Sequence, residues 1–112
     1  MTRIVFSPAA RSDLDRIDDY TIETFGFDQA DKTLATFQKV LETLAAHPFS
    51  ARERPELDPP GRRFRYRVVL GYLIIVYEPL EDRIRVARIL DGRRGDLQAI
   101  LEQEPGEGES DE

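Results

Sequence analysis

Between residues 62 and 92 apolar and charged side chains alternate with period two, and upstream of residue 48 they recur at helical spacing. The strand half organises the rest. In its first run Phe64, Tyr66, Val68 and Leu70 point one way and Arg63, Arg65 and Arg67 the other, giving one apolar and one cationic face. Gly71 supplies a tight turn, where a missing Cβ costs nothing. The next run, Tyr72 to Tyr77, is apolar on both faces, which predicts a central, well-covered strand. Pro79 and the polar residues after it end that strand. The third run extends from about Arg83 to Leu90 and closes at Asp91-Gly92. Plain alternation puts Ile84, Val86, Arg88 and Leu90 on one face. A guanidinium there is costly unless it is paired or reaches a cleft.

Upstream, Arg3 to Phe6 reads as a short strand. Ser7-Pro8 is a helix start, a hydroxyl N-cap followed by proline at the first helical position. The first helix runs to about Thr24, with Ala10, Leu14, Ile17, Thr21 and Phe25 in one stripe and Tyr20 beside it. Asp13, Asp15, Asp18, Asp19 and Glu23 are assigned to its solvated face. Gly26 ends this helix, and Asp28 is expected to cap a second one, from Gln29 to Ala46. Ala30, Leu34, Phe37, Leu41 and Leu44 form that stripe, and Pro48 stops the helix. The short break makes the two helices antiparallel neighbours. Residues 48–61 are expected to be ordered but irregular, and Arg93 to Gln103 to form a short terminal helix. The expected fold class is α+β, a helical hairpin packed on an antiparallel sheet in the order β-α-α-β-β-β with a short C-terminal helix. One domain is expected over residues 1–104. Residues 105–112, without an apolar side chain, are expected to be a disordered acidic tail.

Charge sharpens this picture. The net charge of -6 comes from residues 102–112, which hold six acidic groups and no basic one. The remainder is neutral but polarised: residues 1–50 carry 5 basic and 8 acidic side chains, residues 51–101 carry 11 and 8. Fourteen of the 16 basic residues are arginine, which suits bidentate anion contacts. Absence of cysteine excludes disulfides and thiolate ligands. No run approaches the roughly 20 apolar residues that span a bilayer, and none has a signal-peptide shape, so a cytoplasmic protein without membrane contact is expected.

Little in the sequence points to catalysis. His47 is the one histidine and precedes a proline at a helix end, so a nitrogen-ligated metal site is not expected. No glycine-rich phosphate loop is present, and no cofactor is expected. The candidate chemistry lies in the arginines: Arg62, Arg63, Arg65 and Arg67 with Arg88, Arg93 and Arg94. They form either the solvent face of an amphipathic strand or one cationic surface, for nucleic-acid phosphates or for an acidic protein segment.

Three stretches carry a resemblance: FSPAARSDLDRIDDYTIETFG, the second helix ending LAAHPFSARERPEL, and RRFRYRVVLGYLIIVYEPLEDRIRVARILDGRRG. Together, over residues 3 to about 101, the chain resembles the RelE/ParE superfamily of bacterial type II toxins. The resemblance implies a toxin neutralised by a cognate antitoxin, which carries the DNA-binding part and grips the toxin by helix-in-groove contact and strand addition. RelE-like members cleave mRNA in the ribosome; ParE-like members poison DNA gyrase. Arg65 and Arg67 match the two basic residues of the first hairpin strand of RelE-like enzymes, and Arg94 the basic residue after the last strand. Leu73 stands where those enzymes have a further arginine, Ile100 about where they have a tyrosine, and no tyrosine follows Tyr77. Arginine stabilises charge but does not accept a proton, so the cleavage set is incomplete. The reading is therefore a ParE-like inhibitor of DNA gyrase with no catalytic residues. Arg65, Arg67, Arg88, Arg93 and Arg94 are its target-binding residues, the last three with the terminal helix being the more target-facing. The alternatives are a RelE-like, ribosome-dependent mRNA endonuclease and a non-toxic antitoxin-binding subunit.

Overall fold

Ser7 joins three elements. Its hydroxyl accepts from the amide of Ala10 at 2.9 Å and donates to the carbonyl of Ala87 at 2.6 Å, while its own amide donates to Val86. In the computed structural model, which describes residues 2–105, this is where β1 (Arg3–Phe6) gives way to α1 (Pro8–Phe25). Gly26, at φ 92°, both ends α1 and begins α2 (Phe27–Ala46). Asp28 is therefore inside the second helix rather than its cap: the glycine turns the chain so tightly that no capping residue fits between the helices. Beyond α2 come β2 (Arg52–Glu53), a 3-10 turn at Pro55–Leu57, β3 (Arg65–Val69), β4 (Leu73–Pro79), β5 (Arg83–Asp91) and α3 (Leu97–Glu102). The expected irregular connection thus contains an edge strand, and the terminal helix starts later than expected, after a turn at residues 92–96. The acidic tail, apart from Pro105, lies outside the described residues.

The fold is the expected α+β arrangement of a helical hairpin on a sheet. The five strands described lie in the order β1-β5-β4-β3-β2, with β4 central, as its doubly apolar sequence requires. Strands β2 to β5 pair antiparallel; β1 is an added parallel edge beside β5, reached through the whole intervening chain rather than a hairpin. In β5 the register slips by one. Val76 faces Arg88 but Tyr77 faces Val86, so Ala87 is the extra residue of a bulge. The bulge changes which residues share a face. Ile84, Val86 and Ile89 pack under α1 and α2, with Phe37, Leu41, Leu44, Ile75 and Tyr77. Ala87 and Leu90 pack on the opposite side with Phe64, Tyr66, Ile74 and Val76, beneath Leu97 and Leu101 of α3. Plain alternation through β5 therefore fails after residue 86.

Ion pairs hold the second layer down. Arg85, 1% exposed, donates to Glu78 Oε1 at 3.2 Å, to Glu104 Oε1 at 3.0 Å and to the carbonyl of Pro105 at 3.0 Å. Arg62 grips Glu78 through two nitrogens and the Glu104 carbonyl through a third. The residues after α3 are thus tied back to β4 and β5. Among the described residues no helix is long and apolar enough to cross a membrane.

Two buried phenols add an alkaline limit to stability. Tyr66 donates to Asp58 Oδ1 at 2.6 Å and Tyr77 to the carbonyl of Pro48 at 2.8 Å. Burial pushes both above the ordinary 10.0, and in Tyr66 the Asp58 contact pushes further. A raised phenol keeps its proton in the folded chain where the unfolded chain loses it, so the stability is fully present below pH 10 and declines as pH climbs beyond. Phenolate absorbance of the parent chain against Tyr66→Phe and Tyr77→Phe variants is expected to show both groups ionising above the ordinary value. Ionisation of either at 10.0 would contradict the geometry.

Candidate functional site

The bulge that reorders β5 also aims Arg88. Beyond residue 86 the edge of β5 is no longer covered by β1, and Asp13 of α1 takes over. Its Oδ2 accepts from the amide of Ile89 at 2.9 Å and from Arg88 Nε at 2.8 Å. Its Oδ1 accepts from Arg88 Nη2 at 2.9 Å and Arg16 Nη2 at 2.6 Å. Asp13 is 3% exposed, so it belongs to the interior and not to the solvated face of α1. The contact with Asp13 holds the Arg88 guanidinium above its ordinary value against the opposing effect of burial.

Around this pair lies a groove with two parts. One cavity, of about 320 Å³, is walled by Asp13, Arg16 and Tyr20 of α1, Arg88 to Asp91 of β5, and Arg93 and Arg94 of the following turn. The next, of about 340 Å³, is walled by Phe25, Gln29, Thr33 and Leu70. Ile17, Tyr20, Thr21, Tyr72 and Leu73 line both. The first part is cationic and the second apolar.

Arg93 and Arg94 sit at the mouth. Arg93 makes two bonds to the Asp91 carboxylate, at 2.9 and 2.7 Å, and lies 4.7 Å over the Tyr72 ring. Arg94 holds Asp96 at 2.9 and 2.8 Å. These contacts raise both guanidinium values, hold Asp91 down at about 2, and lower Asp96. Both arginine side chains are open to solvent, at 73% and 49%. Exposed pairs of this kind contribute little, so an incoming anion displaces the carboxylate easily.

Leu70 in the apolar part is unusual. It adopts φ 57° and is 48% exposed. The left-handed region costs a non-glycine residue about 1–2 kcal/mol; Leu70 and Gly71, at φ 82°, adopt it together to turn β3 into β4, closed by the Tyr72 amide donating to the Val69 carbonyl. Phe25, expected in the core stripe of α1, is 65% exposed at the last residue of the helix.

The five sequence-predicted arginines separate. Arg88, Arg93 and Arg94 converge on the groove; Arg65 and Arg67 line neither cavity. Arg65 donates to the carbonyls of Phe49 and Ala51 and stacks 5.3 Å from the Phe49 ring, pinning the loop after α2. Arg67, opposite Ile75, is half-buried. Leu73 is buried against the helical hairpin at the groove floor, and Ile100 packs into the opposite core. Sequence reasoning missed Asp13, Arg16 and Tyr72. Asp13 had a signal: it lies three residues after Ala10 and four before Ile17, on the apolar stripe rather than opposite it. Among the described residues no group of acidic or histidine side chains is placed to hold a metal ion.

Helical hairpin, five-stranded sheet and groove together make a small α+β domain built for recognition rather than catalysis at a metal. The ParE toxin of type II toxin-antitoxin system, parDE, matches residues 4–95, and the chain belongs to this family. It is thus the toxin of a type II pair, with a cognate antitoxin as partner. Toxin ParE1 of Mycobacterium tuberculosis, from strains CDC 1551 / Oshkosh and H37Rv, is 33% identical over 96 residues, covering 80% of this chain and 98% of the relative. A solved chain of the chromosomal ParDE TA system from P. aeruginosa aligns with a TM-score of 0.65 and 21% identity, over 81% of this chain and 96% of that one, and shares the fold.

Proposed function

We propose that this toxin acts in the cytoplasm by docking onto DNA gyrase, with Arg93 and Arg94 as the contacts and no cleavage of nucleic acid. One observation carries the reading: the groove offers recognition chemistry, and its buried carboxylate is already committed. Asp13 accepts four hydrogen bonds. His47 caps α2 and lines neither cavity of the groove. Leu73 and Ile100, at positions where an RNA-cleaving relative would need an arginine and a tyrosine, serve packing. Cationic charge and exposed tyrosines remain, which suit a protein surface. Arg88 then acts as the internal strut that orients the turn bearing Arg93 and Arg94.

Pulse labelling after induction without antitoxin tests the target. DNA synthesis is expected to fail before protein synthesis. Early arrest of translation with cleaved transcripts would establish the ribosome-dependent endonuclease instead.

A further inference from the structure

Phe25, Gly26 and Phe27 form the bend of the helical hairpin, and both rings are bare. Phe25, the last residue of α1, is 65% exposed, and Phe27, the first of α2, is 72% exposed, the highest value among the exposed large apolar side chains described. Two other exposed rings, Phe49 and Tyr72, each lie under an arginine; Phe25 and Phe27 have no such cover among the described residues. The backbone beneath them is fixed. The Gly26 amide donates to the Ile22 carbonyl at 2.9 Å, and the Gly26 carbonyl accepts from the Ala30 amide at 3.1 Å. Rings on such a preorganised support lose little freedom on binding and bury roughly 150–250 Å² each.

Charge decides what covers them. Residues 17–31 carry five acidic side chains and no basic one. Glu23, Asp28 and Asp31 are exposed within a turn or so of the rings. A second copy of this chain meeting the bend two-fold would set these carboxylates against their own counterparts. An anionic membrane surface would repel them. The complementary partner is an apolar pocket with a basic rim on another protein. The bend is also continuous with the surface that bears Arg93 and Arg94: Phe25 walls the apolar part of the groove, and Arg93 and Arg94 wall the cationic part. Two adjoining patches of opposite sign fix the orientation of whatever docks across them.

We propose that Phe27 is an anchor by which the toxin engages its target protein. Its ring enters an apolar pocket with a basic rim, while Arg93 and Arg94 meet acidic groups beside that pocket. This rests on the target reading above and adds a second contact of opposite charge.

The test is inhibition of gyrase supercoiling by the full chain and its variants. Phe27→Gln is expected to raise the concentration for half-inhibition ~30-fold, as for a buried aromatic hot spot. Its melting temperature is expected to stay within about 4 °C of the parent's, because the ring removed is exposed. Glu23→Lys reverses one charge of the rim near the C-terminal end of α1, where a cation suits the helix dipole, and is expected to weaken inhibition about tenfold with the fold kept. Phe49→Gln, which removes an exposed ring from the loop after α2, is the control and is expected to inhibit as the parent does. Parent-like inhibition by Phe27→Gln would overturn the inference and leave the gyrase reading intact, and an equal loss in the Phe49→Gln control would do the same. A parent chain without effect on supercoiling would overturn both. Sedimentation of the free chain and titration with the purified cognate antitoxin cover the other occupants. A parent dimer that Phe27→Gln converts to monomer would assign the bend to a second copy, and weakened antitoxin binding with parent-like inhibition would assign it to the antitoxin; either result overturns the inference.

Discussion

Asp13→Ala is expected to destabilise the chain by about 3–5 kcal/mol, the range for removing one partner of a buried ion pair. The carboxylate lost is 3% exposed and accepts from Arg88 twice, from Arg16 and from the Ile89 amide. Without it the Arg88 guanidinium, mostly covered, has no counter-charge, and an edge amide of β5 is left unsatisfied. The Arg16 bond contributes far less, since its side chain is 65% exposed, so Arg16→Ala is expected to cost under ~1 kcal/mol. For a domain whose total stability is about 5–15 kcal/mol, losing Asp13 consumes a large share of it. Urea denaturation measures both. A loss below ~1 kcal/mol for Asp13→Ala would mean that Arg88 turns to solvent and the strut is not structural. The functional consequence follows from position: the end of β5 leads directly into the turn that presents Arg93 and Arg94.

The second large effect is at Arg85. Arg85→Ala removes the side chain shared by Glu78, Glu104 and the Pro105 carbonyl, and about 3–5 kcal/mol is again expected. Here the double variant is informative. Arg85→Met with Glu104→Leu replaces both charges by apolar volume, and such replacements are often neutral. Most of the lost stability is therefore expected to return, with Arg62 still holding Glu78. Denaturant midpoints for the single and double variants decide it. A double variant as unstable as Arg85→Ala would show that the network supports α3 through geometry that apolar packing cannot replace. Hydrogen exchange is expected to locate the single variant's loss in α3 and the adjoining strand ends.

Much of the fold was legible because it follows from local periodicity. Ser7-Pro8, Gly26, Pro48, Gly71 and Pro79 punctuate the chain where the elements end or turn, and the doubly apolar run of β4 marked the sheet centre. The bulge at Ala87 was not legible: one inserted residue leaves no compositional trace, yet it decides that Ile89 and Leu90 change sides. The edge strand β2 is two residues long, too short for any period. At the site, Arg93 and Arg94 were readable as charges after the last strand. Arg65 looked equivalent in sequence but is drawn into the loop carbonyls by tertiary folding. Asp13 was misassigned because five acidic residues crowd α1 and only one lies at the stripe spacing. The exposure of Phe25, the last residue of α1, is set by tertiary packing that the helix stripe alone does not specify.

Supercoiling of relaxed plasmid by purified gyrase, with the isolated toxin added in increasing amounts, tests the central claim most directly. The parent chain is expected to block supercoiling or trap cleaved gyrase–DNA complexes at stoichiometric excess, and Arg93→Glu with Arg94→Glu to lose that effect while remaining folded. Gyrase unaffected by excess folded toxin would contradict the account.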